Sequence, residues 1–173
     1  DNTWHKDADK LRKILFSPSR SESGFVEICE GEETPIRVDL VFPVLHGKNG
    51  EDGTLQGMFE LAGIPVVGCG TLSSALCMDK DRAHKFASLA GIAVPKAVTF
   101  CRAEEEAAKR TIRQTLSFPV FVKPVRAGSS FGITKVYGQE QLDAAIELAF
   151  AHDAEVTVEE NVCGFEVGCA VMG

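Results

Sequence analysis

The chain of 173 residues has no Cys-x-x-Cys pair, no long apolar run, no excess of positive charge and no Walker-type Gly-Lys-Ser/Thr loop. Each absence removes a class of function. No segment approaches about 18 continuous apolar residues, and no basic-then-apolar leader is present, so neither a membrane span nor a signal peptide is expected. A formal charge of −7 argues against general binding to a nucleic acid backbone, and local basic residues therefore need local explanations. Cys29, Cys69, Cys77, Cys101, Cys163 and Cys169 lack metal-ligand or redox spacing. Their mostly apolar or Gly/Ala surroundings predict buried thiols in a reducing cytoplasm rather than disulfides, and no metal ligand is assigned.

What is present reads as a soluble globular protein of one large or two small domains, with 45% hydrophobic and 25% charged residues. The chain starts at Asp1 rather than Met and stops at Gly173 inside an apolar run, so it is expected to be part of a larger protein. Residues 25–29 predict a strand and 30–35 its hairpin exit. The run 39–45 is almost unbroken apolar, which suits a parallel strand buried on both faces. His46, Glu51, Asp52 and three glycines follow it directly, and then 54–62 places Leu55, Met58, Phe59 and Ala62 on one side of a helix. Residues 63–68 close a strand–helix–strand unit. Ligands of open α/β sheets collect beyond the carboxyl ends of strands, where His46 and Glu51 fall. A glycine-rich turn whose Glu51 or Asp52 merely caps the next helix is the competing reading.

A helix is expected over 75–90, with Ala83, Phe86, Ala87 and Ala90 on its inner side. Lys80 lies near its start, where a cation is unfavourable unless an anion is also there or Asp79 and Asp81 compensate it. A domain boundary is placed between about residues 78 and 95, giving an N-terminal portion at 1–77 and a second at 78–173. The second portion predicts strands at 97–101, 119–123, 132–137 and 155–160 and from 166, with helices at 103–116 and 139–150. Leu142, Ile146, Ala149 and Phe150 should face inward, making a small sheet backed by two helices.

Residues 121–135 draw most attention. An apolar strand ending in Lys123 leads into a turn with Gly128, Ser129, Ser130 and Gly132, and a second strand carries Lys135. Glycines let the backbone come close to a ligand and expose its N–H groups, while the hydroxyls and the ammonium suit phosphates. An ordinary structural hairpin explains the same pattern.

Five blocks in order, VFPVLHGKNGEDGTLQG at 41–57, GIPVVG at 63–68, SALCMDK at 74–80, VKPVRAGSSFG at 122–132 and VEENVCGFEV at 158–167, closely resemble the D-alanine–D-alanine ligase family, including its vancomycin-resistance relatives that make D-alanyl-D-serine or D-alanyl-D-lactate. The resemblance implies an α/β ATP-grasp ligase fragment, with a partial Rossmann-like N-terminal domain followed by the small central α+β subdomain. It implies ATP with magnesium, or manganese in its place, and D-alanine as substrate, in a cytoplasmic homodimer. By the same resemblance Lys80 and Lys123 contact phosphates, and the turn from Gly128 to Gly132 folds over them with Ser129 and Ser130 nearest the reacting centre. Glu159 accepts from the adenine amino group, the backbone from Glu160 to Val162 lines the adenine edge, and Glu166 binds the ribose. His46 and Glu51 serve the first D-alanine. The family's glycine-rich motif with its glutamate would precede Asp1, and its magnesium ligands would follow Gly173. A nucleotide-binding module without catalysis and another ATP-grasp carboxylate–amine ligase are the rival readings.

Overall fold

The structure is a computed structural model that describes residues 4–5, 13–128 and 130–171. The chain divides into two compact units, Asp1–Met78 and Asp79–Gly173.

The first unit opens with an antiparallel meander of β1 (Trp4–His5), β2 (Lys13–Phe16), β3 (Gly24–Cys29) and β4 (Glu32–Arg37), in that spatial order. The sequence 30–35 is thus not only a hairpin exit. Glu30 and Gly31 take positive φ and make the turn, and the chain then pairs in register from Glu32 opposite Cys29 to Arg37 opposite Gly24. α1 (Thr54–Ala62) packs its apolar stripe beside the sheet. Leu55, Phe59, Ala62 and Ile64 are buried, and Phe16, Phe25, Val38 and Val41 close around them. Phe16 meets the rings of Phe25 and Phe59 edge to face at 5.6 and 5.4 Å. α1 ends at Gly63, whose φ of 71° lets its N–H return to the Phe59 and Glu60 carbonyls. The N-terminus of α2 (Thr71–Met78) crosses close by. A Cβ on Gly53 would lie 2.5 Å from the Thr71 carbonyl oxygen, so the crossing needs glycine there.

The strand–helix–strand expectation survives as one parallel bridge, Val41 to Val66, made by Val41 N–H to the Pro65 carbonyl (2.9 Å) and Val67 N–H to the Val41 carbonyl (2.8 Å). Burial of 39–45 on both faces does not hold. Leu40, Phe42 and Val44 are 56%, 70% and 71% exposed, because alternate side chains of an extended segment point to opposite sides and only the Val41 side meets the core.

The second unit is an antiparallel sheet of β5 (Ala97–Cys101), β6 (Val120–Pro124), β7 (Thr134–Val136) and β8 (Glu155–Glu160), in the order β5-β8-β6-β7. α4 (Glu105–Thr115) and α5 (Gln139–Phe150) cover one face. Ile112, Val120, Val122, Val136, Leu142, Ile146, Ala149, Val156 and Val158 are each at most 1% exposed there. Lys109 is buried between the helices, held by Glu105 at 2.5 Å and Asp143 at 2.9 Å. Alternation sends Phe121, Lys123, Thr157 and Glu159 to the opposite face.

Three expectations need correction here. The single helix over 75–90 is two, α2 and α3 (Lys80–Leu89), separated at Asp79. The Asp79 carboxylate accepts from Arg82 N–H at 2.9 Å, and that N-cap bond competes with continuing the helix. α3 buries none of its residues fully, and Phe86, expected inside, is 58% exposed. Among the described residues no strand forms from 166, since 162–171 is irregular and exposed. The cysteines are free thiols, but none is buried. Cys69, Cys77, Cys163 and Cys169 are exposed and Cys29 and Cys101 half-buried, because four of them stand on helix surfaces or in irregular chain.

Candidate functional site

The open face of the second unit's sheet carries a cavity of about 570 Å³ lined by Ala93, Val94, Pro95, Phe121, Lys123, Glu159, Glu160 and Val162. β6 and β8 are paired so that Phe121 lies opposite Glu159 and Lys123 opposite Thr157. Lys123 reaches diagonally across this ladder, and its Nζ stands 2.5 Å from Glu159 Oε2. The same ammonium is 5.5 Å from the Phe121 ring centre. Glu159 is only 3% exposed, yet its Oε1 accepts no hydrogen bond among the described residues. His84 Nδ1, on α3, is 3.9 Å from that oxygen. A buried carboxylate oxygen without a donor is costly, so the site is suited to a ligand that brings an N–H or O–H to it.

Glu160 turns its carboxylate outward, where Oε1 accepts from Lys96 N–H at 2.8 Å, while Glu160 N–H donates to the Lys96 carbonyl at 2.9 Å. This pair of hydrogen bonds ties the end of β8 to the segment before β5, next to the cavity wall made by Ala93, Val94 and Pro95. Those three residues and Phe121 were not singled out from sequence. The alternation of Phe121 with Lys123 was the signal for Phe121, and the approach to β5 carried none.

Lys80, the first residue of α3, lies apart from the cavity lining. Its Nζ donates to the Ala127 carbonyl at 2.8 Å and points at the Val125 carbonyl at 3.4 Å, and its own N–H donates to the Val125 carbonyl at 3.2 Å. Burial, followed by the charge of Lys123, lowers the pKa of this ammonium below the ordinary lysine value. Gly128, Ser130 and Gly132 form a tight turn between β6 and β7. Phe131 N–H donates to the Gly128 carbonyl at 3.2 Å, and Ser130 and Gly132 both have positive φ, 58° and 69°. Ser129 lies outside the described residues. Val162 lines the cavity while remaining 68% exposed, and Glu166 is exposed and not part of its lining.

In the first unit, His46 is exposed after the bridge at Val41. Glu51 is also exposed, and its Oε2 accepts from Gly47 N–H at 2.5 Å, which closes the glycine-rich loop on itself. Asp52 accepts from Asn49 N–H at 2.8 Å and Thr54 N–H at 3.1 Å, so it braces the start of α1. Burial raises the Asp52 pKa, but these hydrogen bonds outweigh it and hold the carboxyl below its ordinary value. Among the described residues no group of three or more His, Cys, Asp or Glu side chains could hold a metal ion, and no helix is long and apolar enough to cross a membrane.

Two family models match the chain. The model of the D-ala D-ala ligase N-terminus matches residues 2–69, and that of the D-ala D-ala ligase C-terminus matches 86–173. The vancomycin B-type resistance protein VanB of Enterococcus faecalis is 51% identical over 96% of this chain and 47% of its own length. The D-alanine–D-alanine ligase of Caldicellulosiruptor bescii is 48% identical over 93% of this chain and 45% of its own. Among solved structures, the VanG D-Ala:D-Ser ligase from Enterococcus faecalis superposes with a TM-score of 0.84 at 68% identity, covering 92% of this chain and 45% of that one. The D-alanine–D-alanine ligase from Helicobacter pylori gives 0.76 at 27% identity, covering 91% of this chain and 46% of that one. The chain thus spans about half the length of the curated relatives it matches.

Proposed function

Because the chain belongs to the D-alanine–D-alanine ligase family and has its mixed α/β ATP-grasp fold, we propose that it is the part of an ATP-dependent ligase that grips the nucleotide and contributes to the first amino acid site. The reaction is ligation of two D-alanines for peptidoglycan precursor synthesis. The carboxylate of one D-alanine attacks the γ-phosphate of ATP, giving an acyl phosphate and ADP, and the amine of the second attacks the acyl carbon, forming the amide bond as the C–O bond to phosphate breaks and inorganic phosphate and a proton leave. The observation that carries the reading is Glu159, buried beside a cavity with one oxygen held by Lys123 and the other without a donor among the described residues. An adenine amino group supplies the missing donor, with the backbone from Glu160 to Val162 along the ring edge and Glu166 brought in to the ribose.

Lys123 and Lys80 then face the phosphates, because phosphoryl transfer needs fixed positive charge and N–H donors where negative charge develops. The turn of Gly128, Ser129, Ser130 and Gly132 covers them. Glu51 orients the ammonium of the first D-alanine, and His46 stands by its carboxylate. Magnesium neutralises phosphate charge in this chemistry, and no ligand for it is assigned among these residues. Residues 1–77 are assigned to the N-terminal domain and 78–173 to the ATP-grasp domain of a cytoplasmic homodimer.

A second reading, D-alanine joined to D-serine, is favoured by the 68% identity to the VanG D-Ala:D-Ser ligase. The test uses the whole protein that carries this segment. ADP release is measured with D-alanine alone and with D-serine or D-lactate added, and the products are identified by mass spectrometry. D-alanyl-D-alanine as the main product supports the first reading and D-alanyl-D-serine the second. No D-alanine-dependent ADP release would defeat both.

A further inference from the structure

Arg126 is the single residue between the two carbonyls, Val125 and Ala127, that Lys80 Nζ approaches. It is held from three directions by one carboxylate. Asp153, whose side chain is 7% exposed, accepts from Arg126 backbone N–H at 2.6 Å, from Nε at 3.1 Å and from Nη2 at 2.7 Å. A two-pronged guanidinium–carboxylate pair with a main-chain bond added fixes orientation as well as distance. Arg126 Nη1 also meets Glu155 Oε2 at 2.9 Å and lies 3.9 Å from Asp79 Oδ2. Arg82 Nη1 joins the same two carboxylates at 2.7 Å to Asp79 and 3.2 Å to Glu155. Asp79 is the residue before Lys80 and the N-cap of its helix. The main chain on both sides of the Lys80 ammonium, the start of α3 and the exit of β6, is therefore tied into one charged cluster.

An exposed ion pair is worth little, but Asp79 and Asp153 are almost fully buried, with side chains 6% and 7% exposed. Their cluster contains no group that lines the cavity. We propose that Arg126 and Asp153 are a positioning pair for the phosphate end of the nucleotide site: they lock the Val125 and Ala127 carbonyls in place, and those carbonyls aim the Lys80 ammonium. This rests on the reading of Lys80 as a phosphate cation given above.

The test is calorimetric binding of ADP and of adenosine to the whole protein, with Asp153→Asn, Arg126→Gln and Lys80→Met singly and Asp153→Asn combined with Lys80→Met. Asp153→Asn is expected to weaken ADP roughly tenfold or more, because small misplacements of a charged group are expensive, and to leave adenosine unchanged. In the Lys80→Met background the same substitution should have no further effect on ADP. Arg126→Lys should recover only part of the loss seen with Arg126→Gln, since a single ammonium cannot make the forked contact. If Lys80→Met itself leaves ADP affinity unchanged, the reading of Lys80 fails and the positioning role with it. If Lys80→Met weakens ADP but Asp153→Asn and Arg126→Gln do not, or if their losses add fully to that of Lys80→Met, the positioning role alone is overturned. Arg126 is partly exposed, so Arg126→Gln stands as the test if Asp153→Asn does not fold. Failure of both to fold, or equal loss of adenosine, would make the pair a structural support and also overturn the proposal.

Discussion

Lys123 Nζ and Glu159 Oε2 are 2.5 Å apart across the β6–β8 ladder, and the carboxylate is almost completely withdrawn from water. Each neutralises the other at a place where, among the described residues, neither has a second charged partner at comparable distance. Lys123→Ala therefore leaves a buried, uncompensated carboxylate and is expected to destabilise the fold by about 3 kcal/mol. The double variant Lys123→Ala/Glu159→Gln should recover much of that loss. Urea unfolding of the three proteins measures it, and equal stability of the single and double variants would contradict the pairing.

The lowered pKa of Lys80 has a binding consequence. Burial is the largest cause and the charge of Lys123 the next, so a phosphate placed beside both would raise it again. Nucleotide binding is then expected to take up protons once pH passes the lowered value of the free protein, and affinity should fall with rising pH over that same range. Calorimetry in buffers of different ionisation enthalpy reads the proton uptake directly. Its persistence in Lys80→Met would assign it elsewhere.

Asp153 contributes to stability on the acid side, beside other lowered carboxylates such as Asp52 and Asp81. Burial raises the Asp153 pKa, but the hydrogen bonds from Arg126 outweigh burial and leave it below 3.8. A carboxylate depressed in the folded state contributes stability that is complete above its unfolded value of about 3.9 and lost as pH falls through the folded one. The urea midpoint should accordingly decline as pH falls below about 4, and Asp153→Asn should flatten that decline while lowering the midpoint at neutral pH. An unchanged acid limb in the variant would show that Asp153 does not carry it.

Gly132 is fixed by its surroundings as well as its backbone. Its φ is +69°, and an added Cβ would come within 2.6 Å of His152 Cδ2 and 3.2 Å of Pro124 Cγ. Gly132→Ala is expected to cost about 1 to 2 kcal/mol from the left-handed conformation alone, with a further loss from the contact. Adding His152→Ala should remove the closest contact and leave the conformational part with the smaller contact to Pro124. Thermal unfolding of the single and double variants separates them.

The second unit was legible where a period was sustained. Leu142, Ile146 and Ala149 recur on one helical face, and all three are fully buried on α5 as expected. Phe150 packs only partly, against Phe100. The break at Asp79 was missed because the spacing of Ala83, Ala87 and Ala90 marks only the helix that follows it and nothing apolar marks the boundary, where the cap bond to Arg82 outcompetes the α-helical continuation. The run 39–45 misled because apolar composition reports what a segment can bury, not how many faces are covered. Of the candidate residues, Lys123, Glu159, Glu160 and Val162 meet at one cavity, Lys80 reaches the exit of the same strand, and Glu166 stands free of the cavity lining. Arg126 and Asp153 were invisible as a pair. Nothing in a local pattern joins residues 27 positions apart.

Among the described residues β8 is the last strand of the second unit in sequence, yet it lies between β5 and β6. During synthesis β6 and β7 can pair as soon as residue 136 has emerged, but β5, made earlier, has no partner until residues 155–160 follow. Val98, Phe100 and Cys101 must then wait beside a growing chain with their ladder unpaired. Completion of this sheet is consequently a single late event, in which Val156 and Val158 close the hydrophobic interior at the moment that Glu159 arrives beside Lys123. The core and the cavity therefore depend on the same strand, and neither is complete until it has paired.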